Sequence, residues 1–592
     1  MNHPDLWMEA YLHIQGNKGA LTKGTDAVTM DGYSPERAHN LVELIRERRY
    51  KPKPVRRQCI PTKTPGKMRP LGIPSADDKL VQEVVRMILN RIYEPLFKDS
   101  SHGFRPKRSC HTALKSLQHG WTGTKWFVEI DIQGYFTNIN HDILMGLLAK
   151  RIADAQFLAL IRAMLEAGYI EDWQYHKTYS GTPQGGIVSP MLANIYLHEL
   201  DEYMEQTKQA FDQGTRRKAG TAWSKVTSLL HDHRQRIKAL KGDPHPEAGV
   251  LIASHAQTIR ELGKKQRSLP ASDPLDPHYR RLLYSRYADD FLIGIIGSKH
   301  EAEVLFSEVK HFLNDHLKLA IAEEKSGIHH AKDGVPFLGY VVQNSTSDKL
   351  VKIHRKECTK VVALRRTMRD RIQLRIPQQK MREFCQRKGY GAYDAHKPSP
   401  RTHWMHADDL EILLAYNAEM RGLANYYALA SDARTGLRRL MLMAKYSFLA
   451  TLACKHTSTT RQMYAQYRQG NRVTVTAKVE KGKDRTYTLF ALKDWKPPQG
   501  RGDEKRDVQA SLHYLRLGRT TLEQRLKAEQ CEYCERAQGY FEVHHVRKMK
   551  DLQGKQPWEQ VMIARQRKTL VLCIECHDLL HAGKLSNRRK KD

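Results

Sequence analysis

The stretch that most constrains this chain is Arg286-Tyr287-Ala288-Asp289-Asp290-Phe291-Leu292-Ile293-Gly294. Two adjacent carboxylates interrupt apolar sequence, and Phe291, Ile293 and Ile295 alternate as the buried side of a strand does. Neighbouring side chains on a strand point to opposite faces, so Asp289 and Asp290 can share one site only at a turn. A hairpin tip meets that condition, with one strand ending at Tyr287 and the next starting at Phe291. Acids set beside apolar strands are costly unless a cation compensates them, and a divalent metal held by oxygen ligands is the natural compensation. A lone Asp-Asp pair more often marks an exposed turn. A third carboxylate shifts that balance. Trp126-Phe127-Val128-Glu129-Ile130-Asp131-Ile132 reads as a buried strand with an acid near its end, followed by Gly134-Tyr135-Phe136 and a helix from about His141. Two such strands side by side would hold two Mg²⁺ ions, the arrangement used for in-line displacement at phosphorus.

Together these stretches resemble the palm of a reverse transcriptase, with Tyr287-Ala288-Asp289-Asp290 as its metal-binding turn. Gly181-Thr182-Pro183-Gln184-Gly185-Gly186-Ile187-Val188-Ser189-Pro190, between them, is similar to the motif that cradles template and incoming nucleotide. The specific resemblance is to group II intron-encoded proteins, reverse transcriptase/maturases with a C-terminal HNH endonuclease domain, and it extends over nearly the whole chain. It implies an α+β architecture. A right-hand polymerase (fingers and palm) would span about 1–345 with a basic insertion at about 207–281. An α-helical thumb, or maturase, domain would follow over 346–455, then a small DNA-binding segment and linker over 456–510. A ββα-metal HNH domain with a structural zinc would occupy 511–592.

The resemblance also implies roles. Asp131, Asp289 and Asp290 would be catalytic and hold the two Mg²⁺ ions. Lys63 and Arg69, from Lys63-Thr64-Pro65-Gly66-Lys67-Met68-Arg69, would bring cations to the triphosphate. Ile132, Phe136 and Gln184 would complete the nucleotide site. A flat ring at Phe136 against C2′ would favour deoxynucleotides, although Phe136 taken alone reads as a core residue. Lys325, in Glu323-Glu324-Lys325-Ser326-Gly327, would lie near the phosphates or stay a surface lysine.

Composition agrees with a nucleic-acid partner. The 592 residues carry 98 Lys+Arg against 65 Asp+Glu, a formal charge of +33. Such an excess favours a polyanion, because each neutralised phosphate releases a counterion. No apolar run approaches the ~20 residues of a membrane span, so no membrane partner is expected. The first residues resemble neither a signal peptide nor a transit sequence, which points to an intracellular protein, of a bacterial cytoplasm or an organellar matrix. Cys59, Cys110, Cys358, Cys385 and Cys454 are scattered, in keeping with a reducing compartment.

Elsewhere the pattern is coarser. Residues 1 to about 50 read as mostly helical, Lys79 to Tyr93 as a core helix, and Pro190 to Tyr203 and Ala302 to Leu319 as further helices. Residues 208–281 hold 15 Lys+Arg against 7 Asp+Glu, which suits either an RNA-binding excursion or a solvated insertion. Residues 355–455 read as all-helical and basic, with Leu364-Arg365-Arg366-Thr367-Met368-Arg369 as an example. Asn417-Ala418-Glu419-Met420-Arg421-Gly422-Leu423-Ala424-Asn425-Tyr426-Tyr427 resembles the most recognisable thumb segment; its tyrosines either pack within the helices or stack on bases. A hairpin is expected around Lys481-Gly482-Lys483-Asp484, and Trp495 to Gly502 reads as a linker.

The C-terminus carries a second centre. Cys531-Glu532-Tyr533-Cys534 and Cys573-Ile574-Glu575-Cys576 supply Cys531, Cys534, Cys573 and Cys576 for one tetrahedral Zn²⁺. Phe541-Glu542-Val543-His544-His545-Val546 alternates like a strand, and His577 and His581 lie one helical turn apart, where two imidazoles can grip one ion. A zinc ribbon with incidental histidines is the plain reading. The pattern resembles an HNH nuclease, which implies His545 as general base and His544, His577 and His581 as ligands of one Mg²⁺ or Mn²⁺. Thr569 stands where that motif's name expects Asn.

These residues describe an RNA-dependent DNA polymerase, maturase and DNA endonuclease. Its partners are expected to be group II intron RNA, target DNA and dNTPs, with a homodimer left open. The rival from another class is a non-enzymatic RNA-binding splicing factor retaining polymerase architecture; nothing in RNA binding alone requires a buried anionic cluster. A nuclease whose N-terminal part only targets it is a second rival.

Overall fold

The computed structural model describes all residues except 18, 27, 62–67, 172–173, 183–184, 242–244, 246, 274–275, 346–349, 355–361, 367–370, 478–484, 497–524, 527, 546–558, 560–568 and 586–592. Lys63, Gln184, the tip of the hairpin expected near 481–484, most of the 495–502 linker and the basic tail lie outside the described residues.

The Asp-Asp stretch folds as a hairpin. Strands Arg281–Tyr287 and Asp290–Ile296 pair antiparallel, Tyr287 opposite Asp290, with Ala288 and Asp289 as the tip. Ala288 takes a left-handed φ of 57°, which is what lets two acids follow each other at the turn. The second strand also pairs antiparallel with Trp126–Ile130, whose other edge pairs with Gly327–His330, giving one four-stranded sheet. Ile130 lies opposite Phe291, so Asp131 emerges beside Asp290.

Helices cover one side of this sheet because their apolar residues recur at helical spacing. Ala76–Tyr93 buries Leu80, Val81, Val84, Val85 and Leu89; Ser189–Phe211 buries Leu192, Ile195, Tyr196 and Leu200; and Lys299–Leu317 buries Leu305, Val309 and Leu313. Each of the first and last opens on a serine cap, Ser75 and Ser298, whose side chain satisfies an otherwise unpaired amide. A second sheet joins Met68–Ile73, Val55–Pro61, Tyr169–Glu171 and Gln174–His176, the middle two strands running parallel.

The basic insertion is a pair of helices, Thr221–Leu240 and Ala248–Ser268. Its base is stitched shut where Gln213 and Arg280 exchange backbone hydrogen bonds of 3.1 Å. It therefore leaves the palm at the end of one helix and returns directly into the first hairpin strand.

The region read as all-helical is mixed. Leu350–His354 pairs with Val362–Arg366, and Ile372–Arg375 pairs with Tyr340–Asn344, before the helices Gln378–Lys388, Asp409–Tyr426 and Ala433–Lys455 begin. Leu364-Arg365-Arg366 is thus in a strand and not a helix. In Val362-Ala363-Leu364-Arg365-Arg366 three apolar residues precede two basic ones, a run too short to show either period, and pairing with the neighbouring strand decides. The three helices build a second core around Tyr416, Phe448, Leu440 and Leu452. Strands Arg472–Ala477 and Arg485–Thr488 form the expected hairpin. At the C-terminus Phe541–His545 pairs with Thr569–Cys573, followed by the helix Ile574–His581. No helix among the described residues is long and apolar enough to cross a membrane.

Candidate active sites

The first site lies where the hairpin tip meets the end of Trp126–Ile130. Burial and the neighbouring Asp289 and Asp131 charges raise the Asp290 carboxyl to about 6; Asp289 is raised by burial and Asp131, with the Arg69 guanidinium opposing. The Asp131 charge thus acts on both acids of the tip. Lys325 Nζ lies 2.8 Å from Asp131 Oδ2 and meets the acids from the opposite edge of the sheet. Glu129, two residues before Asp131 and so on the same face, joins the cluster: burial, Asp131 and Asp290 push its carboxyl to about 7. The sequence carried that signal in the spacing Glu129-Ile130-Asp131, but the residue was passed over.

What holds the tip is buried beneath it. Arg286 is fully buried, donates to Asp201 at 2.7 Å and Asn194 at 3.1 Å, and reaches the Ala288 carbonyl at 3.0 Å and Ser101 Oγ at 2.8 Å. Ser101-His102-Gly103 backs the same tip, with the His102 amide donating to the Arg286 carbonyl at 2.8 Å. Gly103 passes so close that a Cβ there would come within 2.3 Å of the Ala288 nitrogen.

The nucleotide-site candidates distribute around this cluster. Arg69 is exposed on Met68–Ile73, on the side that faces Asp289. Phe136 follows Asp131 on the short helix Tyr135–Asn138, and its carbonyl accepts from the Thr182 amide at 2.7 Å. The Ile132 side chain is buried in the core, and the residue bridges to Ile321. The glycines of the 181–190 segment allow close approach: a Cβ on Gly181 would meet the Phe136 carbonyl at 2.6 Å, and one on Gly185 the Gly72 carbonyl at 2.6 Å. This segment therefore bridges palm and second sheet. Tyr426 and Tyr427 are packed, their hydroxyls donating to the carbonyls of Leu338 at 2.8 Å and Gly339 at 3.2 Å, so they do not offer free faces to bases.

At the C-terminus, one ligand atom each of Cys531, Cys534, Cys573 and Cys576 lies within 4.8 Å of the others, and all four cysteines are unbridged. The sulfurs of Cys534 and Cys573 are 3.7 Å apart. That is far beyond a disulfide bond and close to the ~3.8 Å edge of a tetrahedron with ~2.3 Å Zn–S bonds. His544, His577 and His581 converge nearby, with Nε2 of His577 and His581 3.2 Å apart. Glu542 bonds His577 Nδ1, and it shares a strand face with His544. Burial opposes a charge on His577, but Asp31 and Glu542 outweigh it and raise the imidazole to about 9; His545, buried, is lowered to about 4. Thr569 stands opposite His545 across the strands and accepts from Arg525 at 2.7 Å, so here an arginine ties down the position read as a departure. Asp31 and Tyr11, at the far end of the chain, also reach this cluster; no local sequence signal could have named them.

Three family profiles match successive parts of the chain. Residues 60–216 match the reverse transcriptase (RNA-dependent DNA polymerase) family, 370–494 the type II intron maturase family, and 531–577 the AI2M/AI1M-like HNH endonuclease family. Over 586 residues the chain is 40% identical to the group II intron-encoded protein LtrA of Lactococcus lactis subsp. cremoris, covering 97% of this chain and 93% of that protein.

The chain belongs to the group II intron-encoded proteins.

It is also 32% identical over 596 residues to an uncharacterized 91 kDa protein in the cob intron of Schizosaccharomyces pombe, covering 99% of this chain and 70% of that one. A putative COX1/OXI3 intron 2 protein of Saccharomyces cerevisiae is 30% identical over 588 residues, 97% of this chain and 64% of that one. As a group II intron-encoded protein it combines an RNA-directed DNA polymerase, a maturase and an HNH DNA endonuclease. The reverse transcriptase match ends just inside the basic insertion, before the Asp-Asp hairpin, so the insertion separates strands of the four-stranded sheet in sequence but not in space.

Proposed function

We propose that Asp131, Asp289 and Asp290 form the polymerase centre, and that the C-terminal imidazoles cut the DNA strand whose 3′ end this centre extends. The observation that carries this is the convergence of the three acids at adjacent strand ends, where burial and the Asp131 charge raise the carboxyls of Asp289 and Asp290. An anionic cluster so placed fits divalent cations held by oxygen. Asp131, Asp289 and Asp290 would hold two Mg²⁺ ions, whose charge would favour ionisation of a primer 3′-hydroxyl and departure of pyrophosphate.

The chain's own residues do the rest. Arg69, with Lys63, holds the β- and γ-phosphates, and Lys325 balances Asp131 from the other edge. Phe136 and Ile132 bound the nucleotide, and Gln184 hydrogen-bonds to template or nucleotide. The fingers and palm take residues 1–345. The thumb, 346–455, and the 456–510 segment hold RNA and DNA, and 511–592 is the nuclease. Asn417 joins thumb to segment: its side chain donates to the Thr488 carbonyl at 2.9 Å and accepts from the Phe490 amide at 2.6 Å.

In the nuclease, His545 takes the proton of the water that attacks the scissile phosphate, its neutral imidazole being the form a base needs. The converging nitrogens of His544, His577 and His581 suit one Mg²⁺ or Mn²⁺, with Glu542 orienting His577. Zn²⁺ in the four cysteines holds the fold. The partners are intron RNA, in a ribonucleoprotein, together with target DNA and dNTPs. Extension of a DNA primer on an RNA template with Mg²⁺ tests the polymerase half. Wild type should extend and Asp131→Asn should lose at least about a hundredfold, since one ligand of this kind is worth several kcal/mol. Equal extension by both would end the assignment.

A further inference from the structure

The nuclease centre is not built from the C-terminal region alone. Asp31-Gly32-Tyr33 meets the free edge of Phe541–His545 in one antiparallel bridge, Tyr33 to Val543: the Gly32 amide donates to the Val543 carbonyl at 3.1 Å and the Val543 amide to the Tyr33 carbonyl at 3.0 Å. That pairing sets the Asp31 carboxylate over the imidazoles. It lies 2.8 Å from His581 Nε2, 3.3 Å from His544 Nδ1 and 3.5 Å from His577 Nε2, and it accepts from the His545 backbone amide at 2.6 Å. One oxygen and three ring nitrogens thus sit within 4.8 Å of one another. Gly32 takes a left-handed φ of 74°, a conformation that favours glycine, where the chain turns onto the strand. Tyr11, buried on the first helix, stacks on Tyr33 at 3.8 Å between ring centres and hydrogen-bonds through its hydroxyl to Nε2 of His545.

We propose that Asp31, from the polymerase end of the chain, is a fourth donor to the nuclease metal, and that with Tyr11 it holds this centre closed to DNA. A metal that cleaves phosphodiesters must keep a coordination position open for substrate or water, and the Asp31 carboxylate covers the point where the three imidazoles converge. The Asp31 oxygen is an anionic ligand of the same kind as a scissile phosphate oxygen, so one excludes the other. Tyr11 occupies the ring nitrogen that would take the proton from water. An anionic oxygen replaces an anionic oxygen, so the Asp31 side chain can yield to a phosphate while Tyr33 stays in the core. Nicking then requires the Asp31 carboxylate to swing off the imidazoles, which links the nuclease to the N-terminal region that carries it.

This inference rests on the HNH reading and is tested on the full chain with zinc kept in the cysteine site. Co²⁺ is titrated and its absorption recorded. Wild type should show the bands of a four-coordinate nitrogen/oxygen site without sulfur charge transfer. Asp31→Ala should bind Co²⁺ about tenfold or more weakly with fainter bands. At saturating Mn²⁺, Asp31→Ala and Tyr11→Phe should each nick a supercoiled plasmid about tenfold faster than wild type. Tyr11→Phe keeps the stack on Tyr33 and should leave the cobalt spectrum as it is. An unchanged Co²⁺ affinity and spectrum in Asp31→Ala, or nicking no faster in either variant, overturns the proposal. Nicking that survives His545→Ala in the Asp31→Ala background sinks the nuclease assignment itself, a separate failure.

Discussion

Arg286 has no part in the chemistry, yet the hairpin tip depends on it. It neutralises the buried Asp201 and braces the Ala288 carbonyl, so Arg286→Ala leaves a carboxylate buried and uncompensated. Loss of about 3–5 kcal/mol is expected from chemical denaturation. Asp201→Asn in the same background should recover part of it, because the stranded charge is then gone. His102, buried behind the tip, sets a pH dependence. Burial and the Arg108 and Arg105 charges lower its imidazole to about 3. The native state therefore binds fewer protons than the unfolded chain between that value and the ordinary ~6.5. Stability from this group is complete above ~6.5 and falls by up to ~1.4 kcal/mol per unit as pH drops below it. Melting temperatures at pH 7.5 and 5.5 should diverge more for wild type than for His102→Gln. At this scale the sequence was legible where chemistry is local. The acids at 131, 289 and 290 announce themselves by sitting in apolar strands, and Glu129 could have been found by the same alternation. Arg286 could not, because its partner is 85 residues away.

Elements were read well where period and length agreed and poorly where they did not. The helix over Ala76–Tyr93 and the turn at Ala288–Asp289 follow from apolar spacing and from the constraint that two acids share a site. The strands at 350–366 were missed because a five-residue stretch is too short to show either period. The cysteine pairs set a different kind of element, one whose four converging sulfurs suit a metal. Removing a ligand with Cys573→Ser should abolish zinc retention, measured by metal analysis after gel filtration, and lower the melting of the C-terminal region; zinc retained at the wild-type level would show that the four sulfurs do not act together. The insertion's two helices make a simpler case. Their basic surface should bind RNA through phosphates, so its deletion should reduce the salt dependence of RNA binding without changing primer extension.

At the scale of the whole molecule, the order of motifs predicted which domains exist, and charge predicted their polyanionic partners. What lay beyond reach was which surfaces meet. The N-terminal helices and the C-terminal zinc region share one continuous core, with Tyr11, Tyr33, Val543 and Leu570 in it, although they stand at opposite ends of the sequence. Contacts of that range are fixed by packing and not by any local pattern. The same holds for the three acids proposed as the polymerase centre, which come from stretches more than 150 residues apart joined by strand pairing. As one centre, they must hold the same cations. Fe²⁺ in place of Mg²⁺, with ascorbate and peroxide, cuts the backbone beside the ion it occupies. The account predicts cuts near residues 131 and 289 with one shared dependence on iron, both suppressed by excess Mg²⁺ and both lost in Asp289→Asn; cuts near 131 that persist undiminished in that variant would contradict it.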